Sequence, residues 1–144
     1  MLGDLDNTLV GFSWKFTASG TKRQLAPPWA ASTVIAQYDA VSVAANGVGV
    51  ILVASVGGTT GTTAPTGAGT DGGVTWVAYS LAGAKRIDVV NTDTVSPANV
   101  GDANLQILPV PTNNGSVGPL PATPLALYAS APSGSPVLVV AVAA

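Results

Sequence analysis

The chain has 144 residues, of which 47% are hydrophobic and only 8% are charged, and its formal net charge is −2. Ordinary soluble domains carry charge on about a quarter of their residues, so this chain does not depend on charge for its solubility. Without cysteine or histidine it has no disulfide, thiolate nucleophile or imidazole base, and its five cations are too few to neutralise a run of nucleic-acid phosphates.

The first ten residues carry two aspartates and no lysine or arginine, and no signal-type hydrophobic stretch follows them. We therefore expect no standard secretion signal. Residues 1–10 are expected to form an N-terminal arm. The longest apolar runs, residues 48–56 and 136–144, are far shorter than the roughly 20 residues of a membrane-spanning helix. The sequence therefore predicts no membrane partner.

Short strands are predicted along the whole chain. Phe12, Trp14 and Phe16 alternate with polar residues, which gives one aromatic and one polar face. Residues 48–56 are nearly all apolar, which predicts a strand buried on both faces. The other predicted strands are residues 31–38, 41–45, 74–80, 86–91, 104–110, 125–130 and 137–142.

Eight or nine short strands separated by turn residues are typical of an all-β fold, and an antiparallel β-sandwich fits them best. Helix is poorly supported because glycine, proline, valine and threonine interrupt every longer segment. We predict a single domain over residues 1–144, a jelly-roll-like sandwich with extended terminal segments.

Two stretches differ in composition from the predicted strands. Residues 57–73 are rich in glycine and threonine and predict a long flexible loop with little to bury. Residues 109–136 hold seven of the eleven prolines, which predicts a sheet edge or an extended arm because proline donates no hydrogen bond. The uncharged C-terminal strand that follows, residues 137–144, is a candidate for pairing with a neighbouring chain.

Several motifs follow one another between Trp29 and Tyr79. In order they are W-A-A-S-T from Trp29, Tyr38, the strand at residues 48–54, G-T-T-G-T-T-A-P from Gly58, D-G-G-V-T-W from Asp71, and Tyr79. This segment, about a third of the chain, resembles a small β module of capsid decoration proteins and tail-fibre parts in tailed bacteriophages. With its short length and lack of cysteine, the whole chain resembles the capsid cement protein of Bordetella-type phages.

The resemblance implies a jelly roll that dimerises and binds the outside of an icosahedral shell whose major capsid protein has the HK97 fold. Such a protein is made in the host cytoplasm, ends on the outer capsid surface and cements neighbouring capsid subunits. Scarce charge fits this role, because the cores of obligate interfaces are apolar and poor in charge. We expect no enzymatic activity, no cofactor and no nucleic-acid partner.

Four of the five cations occur as two pairs, Lys22-Arg23 and Lys85-Arg86. They are candidate contacts with acidic patches of a shell protein, and the alternative is that they are ordinary solvated turn residues. Val137 and Val139 of the C-terminal strand are further candidate contacts with the capsid or with a second copy of the chain.

The alternative function is a carbohydrate-binding module of a tail fibre or host-attachment structure. The candidate platform for sugar rings consists of Trp29, Tyr38, Trp76 and Tyr79. Asp71 or Asp39 would accept hydrogen bonds from the sugar hydroxyls. The competing interpretation is that the two tryptophans are core residues, since any core needs some aromatic side chains.

The aspartates offer little chemistry. Asp88 and Asp93 are candidates for a hydrolytic carboxylate pair, but Asp93 lies in N-T-D-T, which is typical of a turn. Asp102 with Asn99 and Asn104 has oxygen ligands of the kind that calcium takes, but too few of them. We therefore predict no catalytic residue and no metal site.

Overall fold

The computed structural model describes residues 11–45, 48–106, 108–121 and 127–143. These residues form antiparallel sheets and no helix, consistent with a β-sandwich, so the predicted all-β class is confirmed. In this part of the chain there is accordingly no helix long and apolar enough to cross a membrane. The predicted N-terminal arm, residues 1–10, lies outside the described residues.

Every strand predicted from the sequence overlaps a strand of the structure. The strands are β1 (Gly11–Thr17), β2 (Arg23–Gln24), β3 (Val34–Ile35), β4 (Ala40–Ala45), β5 (Val48–Val56), β6 (Gly58–Thr59), β7 (Gly69–Asp71), β8 (Val74–Ser80), β9 (Arg86–Asn91), β10 (Ala98–Gly101), β11 (Leu108–Val110), β12 (Gly115–Pro121), β13 (Tyr128–Ser130) and β14 (Val137–Ala143). The sequence did not predict β2, β6, β7, β10 or β12.

The chain divides into two compact units. Unit 1 consists of Met1–Gln24 together with Gly83–Ala144, and unit 2 consists of Leu25–Ala82. Unit 2 is therefore inserted in the sequence of unit 1, between β2 and β9. A domain is defined by independent folding rather than by compactness, so the single domain expected over residues 1–144 stays a prediction.

Unit 1 holds two four-stranded sheets with the strand orders β1-β14-β9-β12 and β11-β10-β13-β2. The aromatic face predicted for β1 is confirmed, because Phe12, Trp14 and Phe16 are all buried. The first sheet completes this apolar face with Ile87, Val89, Leu138, Val140 and Val142. The second sheet buries Ala98, Val100, Val110 and Ala129.

The proline-rich stretch supplies the edge strands β11 and β12, but β13 in the same stretch is an inner strand between β10 and β2, so the expected edge or arm is right only in part. β11 and β12 each lie at one end of a sheet order, and the ladder of β12 with β9 is irregular between Val117 and Leu120. An edge position suits Pro109 and Pro119 because the side of the strand that faces away from the sheet needs no donor.

The C-terminal strand β14 is an inner strand. It pairs with β1 on one side and with β9 on the other along its length. The expected backbone pairing of this strand with a neighbouring chain is therefore wrong, because its N–H and C=O groups are already used inside its own sheet.

Unit 2 holds the sheet β4-β5-β8-β7 and the two-stranded ribbon β3-β6. The residues Ile51 to Ala54 of β5 are all buried, as expected for a strand covered on both faces. One face belongs to the core cluster of unit 2, which comprises Ile35, Val41, Leu52, Ala54, Val74 and Trp76.

The glycine- and threonine-rich stretch, residues 57–73, is an organised part of unit 2. Thr60 is buried, donates a hydrogen bond from Oγ1 to the carbonyl of Ala30 at 2.7 Å and accepts one from the N–H of Thr33 at 2.9 Å. Asp71 is buried as well. The stretch is therefore anchored near its two ends, by the Thr60 hydroxyl and the Asp71 carboxylate, while residues 62–70 between them are mostly exposed, as expected for a loop with little to bury.

Candidate functional site

Three parts of unit 2 meet at the carboxylate of Asp71. Asp71 ends β7, Trp76 lies in β8, and Trp29 precedes the first strand of the unit. The backbone N–H of Trp29 donates to the carbonyl of Ser42 at 3.0 Å, which places the tryptophan beside β4. The tight connection from β7 to β8 pairs Asp71 with Val74.

Both carboxylate oxygens of Asp71 accept hydrogen bonds. Oδ2 accepts from the indole Nε1 of Trp29 at 2.8 Å and from the indole Nε1 of Trp76 at 3.1 Å, and Oδ1 accepts from the backbone N–H of Gly61 at 2.8 Å. Hydrogen bonds to an ionised group are stronger than those between neutral groups. We call these four residues the Asp71 network.

Burial by itself raises the pKa of Asp71. The hydrogen bonds from Trp29, Trp76 and Gly61 outweigh this effect and hold the pKa of the carboxyl below its ordinary value. Asp71 is therefore ionised at neutral pH, with its charge satisfied by three donors, and its role in the network is to fix the positions of two indole rings.

Trp76 is not available to a sugar platform, so the prediction is wrong for that residue. Trp76 is only 2% exposed, because its ring belongs to the core of unit 2. Tyr79 is three residues further along β8 and so lies on the opposite face of that strand. Trp29 and Tyr79 are half-buried and Tyr38 is exposed. The competing interpretation, that the tryptophans are structural, agrees with this geometry.

The two turn aspartates have matching local structures. The Asp93 carboxylate accepts the backbone N–H groups of Ser96 at 2.8 Å and Val95 at 2.6 Å, and these bonds lower its pKa. The Asp102 carboxylate accepts those of Leu105 at 2.9 Å and Asn104 at 2.8 Å, with the same effect on its pKa. Asp93 is thus a turn residue, as its sequence context indicates.

No metal-binding cluster emerges from the described ranges. They contain no group of three or more carboxylate, histidine or cysteine side chains placed to hold a metal ion. Asp88, the other member of the hydrolytic pair considered above, forms an ion pair with Arg86 at 3.5 Å.

The cation pairs have contacts within the chain. The ammonium of Lys22 contacts the carbonyl of Ala103 and lies 5.9 Å from the ring centre of Tyr128. The guanidinium of Arg23 lies 4.5 Å from the ring centre of Phe16. Both side chains are exposed, as are Lys85 and Arg86. These contacts favour the solvated-residue interpretation for Lys22 and Arg23, while docking by all four stays a prediction.

Val137 and Val139 lie on the face of β14 opposite the buried Leu138 and Val140. Both are half-buried, and Val139 stands in register between Lys15 of β1 and Val90 of β9. Their suggested role as contacts with the capsid or with a second copy stays a prediction.

Three loops converge at one end of unit 1, and the sequence did not predict that they meet. We define the loop end as residues 92–97, 111–115 and 132–136. The N–H of Asn113 donates to the carbonyl of Asp93 at 2.8 Å, and the N–H of Thr92 donates to the carbonyl of Val137 at 3.1 Å. A side chain at Gly134 would collide with Ser96, so the third loop packs against the first.

The loop end is built on a buried asparagine. Asn91 is fully buried, and its Nδ2 donates to the carbonyls of Ser96 at 2.9 Å and Val110 at 3.2 Å. Its Oδ1 accepts the N–H of Asp93 at 2.9 Å. In the sequence, only the motif N-T-D-T at residues 91–94 indicated a turn at this place.

Comparison with family models, with curated proteins and with solved structures found no match to this chain.

Proposed function

We propose that this chain is a structural protein of a tailed-bacteriophage virion, a capsid cement protein with a jelly-roll-like sandwich. It binds the outer surface of an icosahedral shell and joins neighbouring subunits of an HK97-like major capsid protein. It acts as a homodimer and is made in the host cytoplasm. It has no enzymatic activity, needs no cofactor, and binds neither nucleic acid nor membranes.

The observation that carries the proposal is that the phage-like motifs all lie within unit 2. The motifs from Trp29 to Tyr79 that resemble a phage decoration module fall inside one compact unit, Leu25–Ala82. Two of those motifs, W-A-A-S-T and D-G-G-V-T-W, are joined by hydrogen bonds through Asp71. The sequence pattern thus corresponds to one folded piece, which supports its interpretation as a module.

The surface gives independent physical support. Seven large hydrophobic side chains of the described residues are exposed: Val34, Tyr38, Val56, Val77, Val95, Leu105 and Leu108. Only 8% of the residues are charged, so few charges oppose the association of these hydrophobic side chains with another protein. A protein that is packed on a shell gains free energy by covering them.

The mechanism is thermodynamic. A protein that binds the expanded shell more tightly than the immature shell stabilises the expanded state by mass action. Each bound copy that bridges two capsid subunits must be released before those subunits separate. Shell stabilisation therefore requires binding that depends on the geometry of neighbouring subunits.

The test is binding to expanded shells assembled from the major capsid protein of the same genome and lacking this chain. We expect the chain to co-sediment with them and to raise the temperature at which they open, while immature shells bind it more weakly. The absence of co-sedimentation would contradict the proposal. Specific binding on a glycan array without shell binding would favour the carbohydrate-binding alternative instead.

The homodimer is tested separately by sedimentation equilibrium of the purified chain. A two-fold dimer is the commonest oligomer of small soluble proteins. We expect the mass of a dimer, and a monomer at every accessible concentration would remove dimerisation from the proposal.

A further inference from the structure

We propose that Asn114 is a site of spontaneous chemical modification, at which the side-chain amide is lost and aspartate or isoaspartate takes its place. The site lies in the turn between β11 and β12, within the loop end of unit 1. The reaction needs no partner protein, so the inference does not depend on the proposed function.

The reaction joins the side chain of Asn114 to the backbone of Gly115. The backbone N of Gly115 attacks Cγ of Asn114 and forms a new N–C bond, while the C–N bond of the side-chain amide breaks. The proton lost by Gly115 leaves with the side-chain nitrogen as ammonia, and a five-membered cyclic imide remains. Water opens this ring at either carbonyl, which gives aspartate or isoaspartate without any enzyme, metal or oxidant.

The turn presents the reacting groups at the surface. Asn113 and Asn114 are both exposed, and both have left-handed backbones, with φ of +59° and +65°. Two such residues in succession are typical of a type I′ hairpin turn. The N–H of Gly115 donates to the carbonyl of Thr112 at 3.2 Å, which is at the long end of the usual range. This bond lies within the turn itself and next to the edge strand β12, so local opening frees the attacking nitrogen at low free-energy cost.

Three other described asparagines are held in ways that oppose the same reaction. Asn91 is fully buried, and both its Nδ2 and its Oδ1 are hydrogen bonded. For Asn113, the attacking nitrogen would be that of Asn114, whose N–H donates to the carbonyl of Asn91 at 2.8 Å. Asn99 is half-buried in the inner strand β10 and is followed by a valine, whose branched side chain hinders attack.

Asn104 provides an internal control, because it is exposed like Asn114. The residue after it is Leu105, whose N–H donates to the Asp102 carboxylate at 2.9 Å. A hydrogen bond to a carboxylate stabilises the protonated form of the donor, so this nitrogen is less able to lose its proton and attack. The structure therefore favours Asn114 over Asn104 in two respects, the weaker hold on the attacking nitrogen and the absence of a side chain on the following residue.

The modification changes the charge and the backbone of the loop end. It adds one negative charge to a chain whose formal net charge is −2. The N–H of Asn113 donates to the carbonyl of Asp93 at 2.8 Å, and that of Asn114 donates to the carbonyl of Asn91 at 2.8 Å. Isoaspartate lengthens the main chain by one carbon at this point, so both hydrogen bonds between the two loops are affected.

The experiment follows the folded chain during incubation in mildly alkaline buffer, and tandem mass spectrometry locates each converted residue. We expect Asn114 to be converted at least about tenfold faster than Asn104, a difference of about 1.4 kcal/mol in activation free energy. Asn114→Gln should remove the conversion at this position, because glutamine would have to form a six-membered ring. Equal rates at Asn114 and Asn104 would overturn the proposal, as would an unchanged Asn114 in the folded chain under conditions that convert it in urea.

A second set of variants separates the effect of the structure from that of the Asn-Gly sequence. Leu105→Gly gives Asn104 a glycine neighbour but keeps the bond to Asp102, and Leu105 is 60% exposed, so little packing is lost. We expect Asn104 to stay slow in Leu105→Gly and to approach the rate of Asn114 when Asp102→Ala is added. Fast conversion of Asn104 in Leu105→Gly alone would contradict the structural explanation. Equal urea midpoints of Leu105→Gly and the unmodified chain establish that the comparison is made on folded protein.

Discussion

Asp71 joins residues that are far apart in the sequence, since its partners are 42 residues before it, 10 before it and 5 after it. A buried carboxylate is tolerated only when its charge is satisfied, and here the donors are two indoles and one backbone N–H. The aspartate and the tryptophan of the D-G-G-V-T-W motif thus stabilise unit 2 through their hydrogen bonds.

Replacement of Asp71 by alanine is expected to lower the free energy of unfolding by about 3 kcal/mol, because it leaves buried donors without an acceptor. Urea titration followed by tryptophan fluorescence measures this change. Asp102→Ala is the control, since that exposed turn residue is expected to cost less than about 1 kcal/mol. Equal costs for the two variants would contradict the structural role of the Asp71 network.

Acid should weaken the fold through the same residue. The pKa of Asp71 is lowered in the folded chain, so its contribution to stability is complete above its unfolded pKa and is lost as the pH falls through the folded value. We expect the free energy of unfolding to fall below about pH 4, and to fall less in Asp71→Asn. Asp93 and Asp102 contribute with the same sign in both proteins, so the difference isolates Asp71. Parallel pH profiles would refute this assignment.

The sequence pointed to the right residues here but not to their roles. Trp29, Asp71 and Trp76 were identified as parts of one candidate site because of their types and order, but together with Tyr38, Tyr79 and Asp39. Their types suited a sugar platform as well as a core, and only the fold shows that Trp76 is buried and that its N–H donates to Asp71. Spacing along a chain does not reveal which donors a buried carboxylate will meet.

At the scale of elements, close backbone approach explains the glycine at position 72, in the turn that precedes β8. Gly72 has a φ of +61°, and a Cβ there would lie 2.5 Å from the carbonyl oxygen of Thr59 and 2.7 Å from the N of Gly61. Only glycine allows this approach without strain. The β7–β8 turn and the Gly61 donor to Asp71 depend on it.

We therefore expect Gly72→Ala to destabilise the chain by about 2 kcal/mol or more. Gly67→Ala is the control in the same loop, because a Cβ at Gly67 meets nothing within 4 Å. It should leave the stability unchanged or raise it by up to about 1 kcal/mol. The urea midpoints of Gly72→Ala and Gly67→Ala measure this difference in stability. Similar midpoints would show that close packing at Gly72 is unimportant.

Strands were predicted correctly where apolar and polar side chains alternate along the sequence. The alternation of Phe12, Trp14 and Phe16 predicted both the strand and its buried face. β10 and β12 were missed because A-N-V-G has no strong preference and because prolines argue against a strand, although an edge position accommodates them. The inner position of β14 depends on pairing with β1, more than a hundred residues away, which local sequence does not specify.

At the scale of the whole molecule, the insertion of unit 2 into unit 1 has a consequence for unfolding. The hydrogen bonds of the Asp71 network all lie within unit 2. We expect Asp71→Ala to increase amide hydrogen exchange in residues 25–82 more than in β1, β9 and β14, because local stability follows local packing. A uniform increase across both units would instead support the single cooperative domain predicted from the sequence.

The assembly role proposed above would account for the unusual composition. A free domain needs charge to remain dispersed, whereas a protein that functions on a shell covers its apolar side chains with neighbouring subunits. Under this proposal the scarcity of charge and the exposed hydrophobic side chains have one explanation.

A cryo-electron microscopy map of the virion whose genome encodes this chain tests the central claim most directly. The account predicts density for the β-sandwich on the outer surface of the shell. Density for the chain in a tail fibre, or its absence from the shell of an otherwise complete particle, would contradict the account.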